Sequence, residues 1–475
     1  MKVTSQGKVI ELNTTQQEAY AAVSQWYKYG NAPCFCISGP AGSGKTTLTT
    51  ALIDCFIEDH RLYSYDIVVS APTHKARLVA QQVTGFPSCT LHSLLGLAPD
   101  MDLAAFDPNS LKFRKSSKSQ LDKYKLVIID ECSMINKELF DMINEALDET
   151  AGYTKVLYIG DEYQLAPINE EISPCFITTK NVIQCVHLTT VMRQAKFNPL
   201  LINCAAARDS QKQDSTADPT KETYNPKTAL GLKHINKNDK DLLRKSVITM
   251  LKDDLSSKLL CFTNQAVLAY NKAIRSKVVM PGVTSVVHKG DRIMAYRTSP
   301  SNNSSISVRS SRFKIKKPKE QLLNSCEYEV TRVNKDTKEG MKVYVTDFIN
   351  VDSGEELEEV NILDHTDEFS LATYNRRVLH LKEHALKIKD QKIKSRSWKM
   401  YYDFLNKYQT LIDTEQSTKS LDYGYAMTVH KSQGSTYNSV MIDYTDILKS
   451  RDVITQKRLL YVAISRPRFA AYLIV

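Results

Sequence analysis

The sequence of 475 residues has ten cysteines but no paired CxxC elements, and no histidines cluster at metal-ligand spacing. That argues against a structural zinc site and suggests reduced thiols in a cytoplasmic protein. Cys34 and Cys36, in the apolar run CFC, read as small buried residues. No segment is apolar for long enough to cross a bilayer. The opening stretch MKVTSQGKVIELNTTQQEAY lacks the apolar core of a secretory signal, so neither export nor a membrane partner is expected. There is no internal repeat and no separate nuclease constellation. What the chain has in excess is positive charge: 63 Lys and Arg against 53 Asp and Glu, a formal net charge of +10. That excess favours a polyanionic partner, most simply nucleic acid.

The length predicts two to four domains. Four short apolar runs each end in a polar motif: CFCIS (34–38) in GPAGSGKTT, DIVVS (66–70) in APTHKAR, LVII (126–129) in DECSM, and KVLYI (155–159) in GDEYQLAPI. Continuous apolar strands followed by helical patterns predict an α/β fold whose parallel sheet is covered on both faces. In such sheets ligands bind beyond the carboxyl ends of the strands, so all four motifs converge on one edge. A second α/β unit is predicted from KLLCF (258–262), SVMID (439–443), the helix RLLYVAISRPR (458–468) and the strand AYLIV (471–475). Between them, EYEVTRV and MKVYVTDFI alternate as in a small antiparallel barrel or sheet. A basic helical stretch follows, and the whole region reads as an insertion. The Ser-rich run 299–312 and the polar run 209–227 read as loops.

GPAGSGKT fits G-x-x-x-x-G-K-[ST] between a strand and a helix, the context the phosphate loop needs. Gly39, Gly42 and Gly44 let the backbone curl around phosphate oxygens, with Pro40, Ala41 and Ser43 completing the loop. The helix beginning with Thr46 and Thr47 adds its positive end. Lys45 reaches the β- and γ-phosphates, and Thr46 with Asp130 suits Mg²⁺. Glu131 is the expected general base, and Gln164 an amide that senses the γ-phosphate or the attacking water. Arg193 in VMRQ and Arg466 in AISRPR are candidate arginine fingers for charge developing on the transferred group.

With these residues in place, the chain resembles the superfamily one helicases, most closely the RecD-like branch with the phage Dda type. Walker A, APTHKAR, TLHS (90–93), DECSM, GDEYQLAP, VMRQ, TVHKSQGST (428–436) and LLYVAISRPR stand in the family's order over nearly the whole length. The resemblance implies two RecA-like lobes, a small β-hairpin pin and an inserted SH3-like domain. The implied boundaries are 1–190 for the first lobe, with the pin at about 95–124, 191–283 and 418–475 for the second, and 284–417 for the insertion. It also implies that Gln16 reads adenine and that TVHKSQGST lies at the cleft, with Gln433 and Gly434 on the ATP side. Thr73, His74, Thr90, His92, Ser93, Asn264, Thr428, His430 and Ser432 are then the strand contacts. Phe106 or Phe113, with Pro99, would supply the pin's apolar wedge or its stacking face. Trp398 and Tyr401 would stack on a base or dock against the pin. Alternatively, the aromatics pack small cores of their own.

The implied activity is an ATP- and Mg²⁺-dependent helicase that moves 5′→3′ on single-stranded DNA and opens duplexes in replication, recombination or repair. The implied setting is a monomer in a bacterial or phage-infected cytoplasm, meeting single-strand/duplex junctions and single-strand binding or replication proteins. An RNA helicase of the same superfamily and a nucleotide-switched binding protein without unwinding are the alternatives.

Overall fold

The computed structural model describes residues 2–5, 8–99, 113–115, 117–167, 169–177, 183–191, 198–252, 256–300 and 321–475. They form two compact units. Met1–Leu97, Lys115–Ile274 and Tyr425–Val475 make one, and Ala98–Arg114 with Arg275–Gly424 the other.

The first unit holds two parallel sheets. In the first sheet, strands β1 (Cys34–Ser38), β2 (Ile67–Ala71), β3 (Ser88–Thr90), β4 (Leu126–Ile129), β5 (Lys155–Gly160) and β6 (Ile183–His187) lie in the order β6-β1-β5-β4-β2-β3. Every neighbouring pair is parallel. β1, β2 and β4 are buried along their whole length. This is why they read as unbroken apolar runs rather than alternating ones. Helices α1 (Thr14–Tyr29), α2 (Lys45–Glu58) and α3 (His74–Thr84) flank the sheet. One core layer joins α1 and α2 to it through Val23, Trp26, Leu52 and Phe56, and the other face packs Ile135, Ile143 and Phe176.

The second sheet contains β7 (Gly231–Ile235), β8 (Lys258–Cys261), β9 (Ala426–Thr428), β10 (Tyr437–Asp443) and β11 (Pro467–Ile474) in the order β7-β11-β10-β8-β9, again all parallel. Helix α4 (Asn264–Ile274) follows β8, and α5 (Val453–Ile464) precedes β11. Strands β9 to β11 therefore come from the far end of the chain. These two sheets are the RecA-like pair expected from the sequence.

In the second unit, Arg292–Ala295, Glu327–Lys338, Met341–Asn350, Glu356–Leu363 and Leu421–Tyr423 build a mainly antiparallel sheet. The basic stretch is helical, as expected, over Glu368–Lys387 and Gln391–Lys407. Trp398 and Tyr401 face inward. They are 4% and 7% exposed and pack with Met341, Val343, Leu363 and Tyr374. Stacking on a base is therefore excluded for these two in this arrangement, because burying their rings closes this unit's own core. Leu97–Pro99 and Phe113–Lys115 pair as a two-stranded sheet. Phe106 and the side chains of Pro99 and Phe113 lie outside the described residues, as do the Ser-rich residues 301–312.

Candidate functional site

The carboxyl edge of the first sheet carries the phosphate loop. Gly42 and Gly44 adopt φ of +82° and +77°, the left-handed region that favours glycine. A Cβ on Gly44 would come within 2.5 Å of Gln16 Nε2. Gln16 is fixed twice over. It closes a capping box with Asn13 at the start of α1, and its Nε2 donates to Ser43 O at 3.2 Å. Lys45 opens α2, and its Nζ donates to Gly39 O at 2.8 Å and Pro40 O at 3.0 Å, so the ammonium lies over the loop. Thr46 is half-buried beside it, whereas Thr47 is exposed.

Asp130 and Glu131 follow β4. Glu131 has φ +53° and ψ +41°, a strained left-handed position for a non-glycine residue. Its N–H donates to Asp130 Oδ1 at 2.9 Å. Burial, with the neighbouring Glu131 charge, raises the Asp130 carboxyl to about 6. Gln164 follows β5, is 3% exposed, and donates to Asp161 Oδ2 at 3.3 Å.

The second sheet's loops meet this edge. A Cβ on Gly434 would lie 3.6 Å from Glu131 Oε1 and 3.7 Å from Ala76 Cβ, which puts TVHKSQGST against both the DECSM and APTHKAR motifs. Lys75 Nζ lies 5.8 Å from the centre of the Tyr437 ring. Gln433 is buried in the same loop.

Sequence reasoning missed Tyr461, although it stands inside the quoted LLYVAISRPR. Its hydroxyl accepts from Ala41 N–H at 3.1 Å and donates to Asp161 Oδ2 at 2.8 Å. One side chain on α5 therefore ties the phosphate loop to the Gln164 loop. The buried hydroxyl makes both bonds at once, and each is worth about 1 kcal/mol net. Tyr461→Phe is expected to lower the melting temperature and to loosen nucleotide binding, read by thermal unfolding with and without ATP. Unchanged values in both would remove its linking role.

Buried side-chain atoms without a hydrogen-bond partner among the described residues include Ser43 Oγ, Glu131 Oε2, Gln164 Oε1 and Gln433 Nε2. Unpaired buried polar atoms are rare. These four come from four motifs far apart in sequence, and each follows the carboxyl end of a parallel strand. A polar ligand able to both donate and accept, such as a triphosphate with its attacking water, fits that set. The Thr46 hydroxyl and the Asp130 carboxylate are hard oxygen donors that fit Mg²⁺.

Arg466 is 2% exposed. Its guanidinium donates to Val462 O, Ser435 O and Ser465 Oγ at 3.0, 3.3 and 2.9 Å, all on its own side of the cleft. Arg193 lies outside the described residues.

The candidate strand contacts divide by their local bonds. Thr73 Oγ1 caps α3 by accepting from Ala76 N, and Thr90 Oγ1 caps the turn 91–94 by accepting from Ser93 N. Thr428 Oγ1 accepts from Lys431 N, and Ser432 Oγ, fully buried, donates to Val429 O. These four hydroxyls shape their loops. Ser93, Asn264 and His430 are exposed.

Burial, with Arg77 and His92 nearby, pulls the His74 imidazole down to about 4, and its Nδ1 is buried without a partner. His92 is pulled down by burial as well. Neither offers a cation to a phosphate at neutral pH. The unfolded chain binds a proton at His74 near its ordinary value of about 6.5. The folded chain does not bind it until about 4. His74 therefore takes stability away as pH falls through that window, by at most about 1.4 kcal/mol per unit. His74→Gln should lose less melting temperature than the parent on acidification from about pH 7 to 5. An equal loss would show that His74 does not titrate there.

Comparisons with known proteins follow the same lines. Residues 11–221 match the AAA domain family, and residues 423–474 match the UvrD-like helicase C-terminal domain. Uncharacterized protein R530 of Acanthamoeba polyphaga mimivirus is 26% identical over 96% of this chain and 98% of its own length. The ATP-dependent DNA helicase dda of Enterobacteria phage T4 is 30% identical, and the match covers 51% of this chain and 52% of that protein. The crystal structure of Pif1 helicase from Candida albicans shares the fold, with a TM-score of 0.53 at 17% identity, covering 98% of this chain and 94% of that one.

Proposed function

Since this protein is an ATP-dependent DNA helicase of superfamily one resembling Dda, we propose that it moves 5′→3′ along single-stranded DNA and separates duplexes at single-strand/duplex junctions. The observation that carries the reading is the set of four unpaired buried polar atoms, three beyond strands of the first sheet and one, Gln433 Nε2, beyond β9 of the second. A binding module needs no such set. Hydrolysis of a phosphoanhydride does, because water must be oriented and charge stabilised in a site shut off from solvent.

The roles divide by position. The loop from Gly39 to Thr46 holds the phosphates, with Lys45 on the β- and γ-phosphoryl oxygens. Gln16 reads the adenine edge, which requires its Nε2 to leave Ser43 O and Gly44 O, the acceptors it now holds. Thr46 and Asp130 would hold Mg²⁺, which neutralises phosphate charge when bound. Glu131 takes the proton of the attacking water, and Gln164 orients that water. Gln433 and Gly434 sense the nucleotide from the second lobe, and Arg193 and Arg466 stabilise the transferred charge. For Arg466 this requires exchanging its three present bonds for the phosphate, so closing the cleft and engaging the finger become one event. The strand lies across the carboxyl edges of both sheets, over the loops shaped by Thr73, Thr90, Thr428 and Ser432 and beside Ser93, Asn264 and His430. Closure is driven only by the free energy with which ATP prefers the closed form. Alternating grip then becomes stepping. The polarity rests on the resemblance to the Dda type.

Matched duplexes with a 5′ or a 3′ single-stranded tail, supplied with ATP and Mg²⁺, test the reading. Opening of the 5′-tailed duplex alone is expected. Opening from the 3′ tail alone would keep the motor and reject the polarity. DNA-stimulated turnover without opening would reduce the activity to translocation or switched binding.

A further inference from the structure

The first lobe holds seven cysteines, among them Cys34 and Cys36 on β1, Cys132 next to Glu131, Cys175, and Cys185 on β6, which share one side of the sheet. The proposed hydrolysis uses none of them. Cys34, Cys36, Cys132 and Cys175 are buried, and Cys185 is half-buried. Cys36 pairs with Cys185 in the register of β1 and β6, and it shares a core layer with Cys132. Among the described residues no group of three or more His, Cys, Asp or Glu could hold a metal ion.

Geometry selects one pair. Cys36 and Cys185 are direct partners in the parallel register of β1 and β6. Neighbouring strands lie about 4.8 Å apart, and paired residues point to the same face. Disulfides join Cα atoms about 4.4–6.8 Å apart, so this pair can be bridged without moving the backbone. Cys185, on the edge strand β6, is half-buried and so is partly exposed to a small solute. Cys132 is not open in this way. It is fully buried, and a Cβ on Gly160 would lie 2.7 Å from its Sγ.

We propose that Cys36 and Cys185 form a reversible disulfide with a low-molecular-weight disulfide as oxidant, and that the bridge lowers ATP turnover. The Cys185 sulfur attacks one sulfur of the small disulfide and its proton goes to the expelled thiolate. The Cys36 sulfur then attacks Cys185 in the mixed disulfide, and the second expelled thiolate takes the Cys36 proton. Two protein thiols become one disulfide while one small disulfide becomes two thiols. The position explains the effect. β1 runs straight into Gly39, and β6 runs through Leu188, whose N–H donates to Ser38 O at 2.7 Å, toward the segment that carries Arg193. A bridge at Cys36 clamps the two strand exits that must adjust together around the phosphates.

The full chain is incubated with oxidised glutathione and digested without reduction, and its peptides are mapped by mass. DNA-stimulated turnover is measured before and after a thiol reductant. The expected result is a Cys36–Cys185 linked peptide in the parent, none in Cys185→Ser, and a fall in turnover that reductant reverses in the parent alone. Absence of the linked peptide, a bridge from Cys36 to Cys132 instead, or a linked peptide with unchanged turnover overturns the proposal. The peptide map reads the bridge whether or not the chain turns over ATP, so its failure is separable from failure of the helicase reading.

Discussion

Lys45→Ala is expected to abolish DNA-stimulated ATP turnover, a loss of about 10²–10³-fold or more, while leaving most of the affinity for single strands. The lysine ammonium lies over the phosphate loop, held by Gly39 O and Pro40 O, and in the proposed reading it is the cation that meets the β- and γ-phosphoryl oxygens. Removing it takes away charge stabilisation that grows as the γ-phosphoryl group departs. The proposed strand contacts sit on other loops, so their electrostatics are expected to change little. Phosphate release at saturating strand reports the first quantity, and titration of a labelled oligonucleotide the second. Near-normal turnover would remove Lys45 from the reaction. Equal loss of strand binding would show that the variant's fold is damaged.

Glu131→Gln should bind ATP about as well as the parent and hydrolyse it about 10²–10⁴-fold more slowly. The substitution keeps the shape of a side chain whose backbone is held in a left-handed conformation, so the loop is not released. It replaces a carboxylate whose Oε2 is buried without a partner, which is the arrangement of a base waiting for a proton. Asp130, one residue back, is the weaker candidate. It already accepts the Glu131 N–H, and its raised carboxyl reflects burial beside a like charge. Rapid mixing of the variant with labelled ATP, quenched over a single turnover, separates the two. Hydrolysis at the parent's rate would move the base elsewhere.

Much of this architecture is legible in the chain itself. The strands CFCIS, LVII and KVLYI are readable because strands covered on both faces need no polar alternation, and their runs agree with β1, β4 and β5 closely. The meeting of TVHKSQGST with the DECSM loop follows from motif order, and Gly434 does lie against Glu131. What the sequence hides is side-chain direction. Trp398 and Tyr401 sit in a basic helix that looks like a solvated face, and only its packing on Met341, Val343, Leu363 and the helix Glu368–Lys387 turns them inward. Tyr461 could not be assigned, because its partners Ala41 and Asp161 are brought to it by the pairing of distant segments. Arg466 reads as a phosphate contact, and its present hydrogen bonds go to its own helix end and to Ser435 O in the TVHKSQGST loop.

The side chain of Asn271 has a consequence for how the chain reaches this state. At the end of α4, its Oδ1 accepts from Tyr425 N–H at 3.1 Å and Ala426 N–H at 2.7 Å, and its Nδ2 donates to Ala426 O at 3.1 Å. The segment Arg275–Gly424 thus departs and returns at one clasp. Closing so long a loop from a random coil carries an entropy that grows with the logarithm of its length. If that segment collapses first on its own core, its two ends arrive already near each other, and β8 can find β9 and β10 almost as if they were local neighbours. The second lobe's parallel sheet, otherwise a slow long-range pairing, then acquires a short effective contact order. In the native state Asn271 holds the two ends of that segment together.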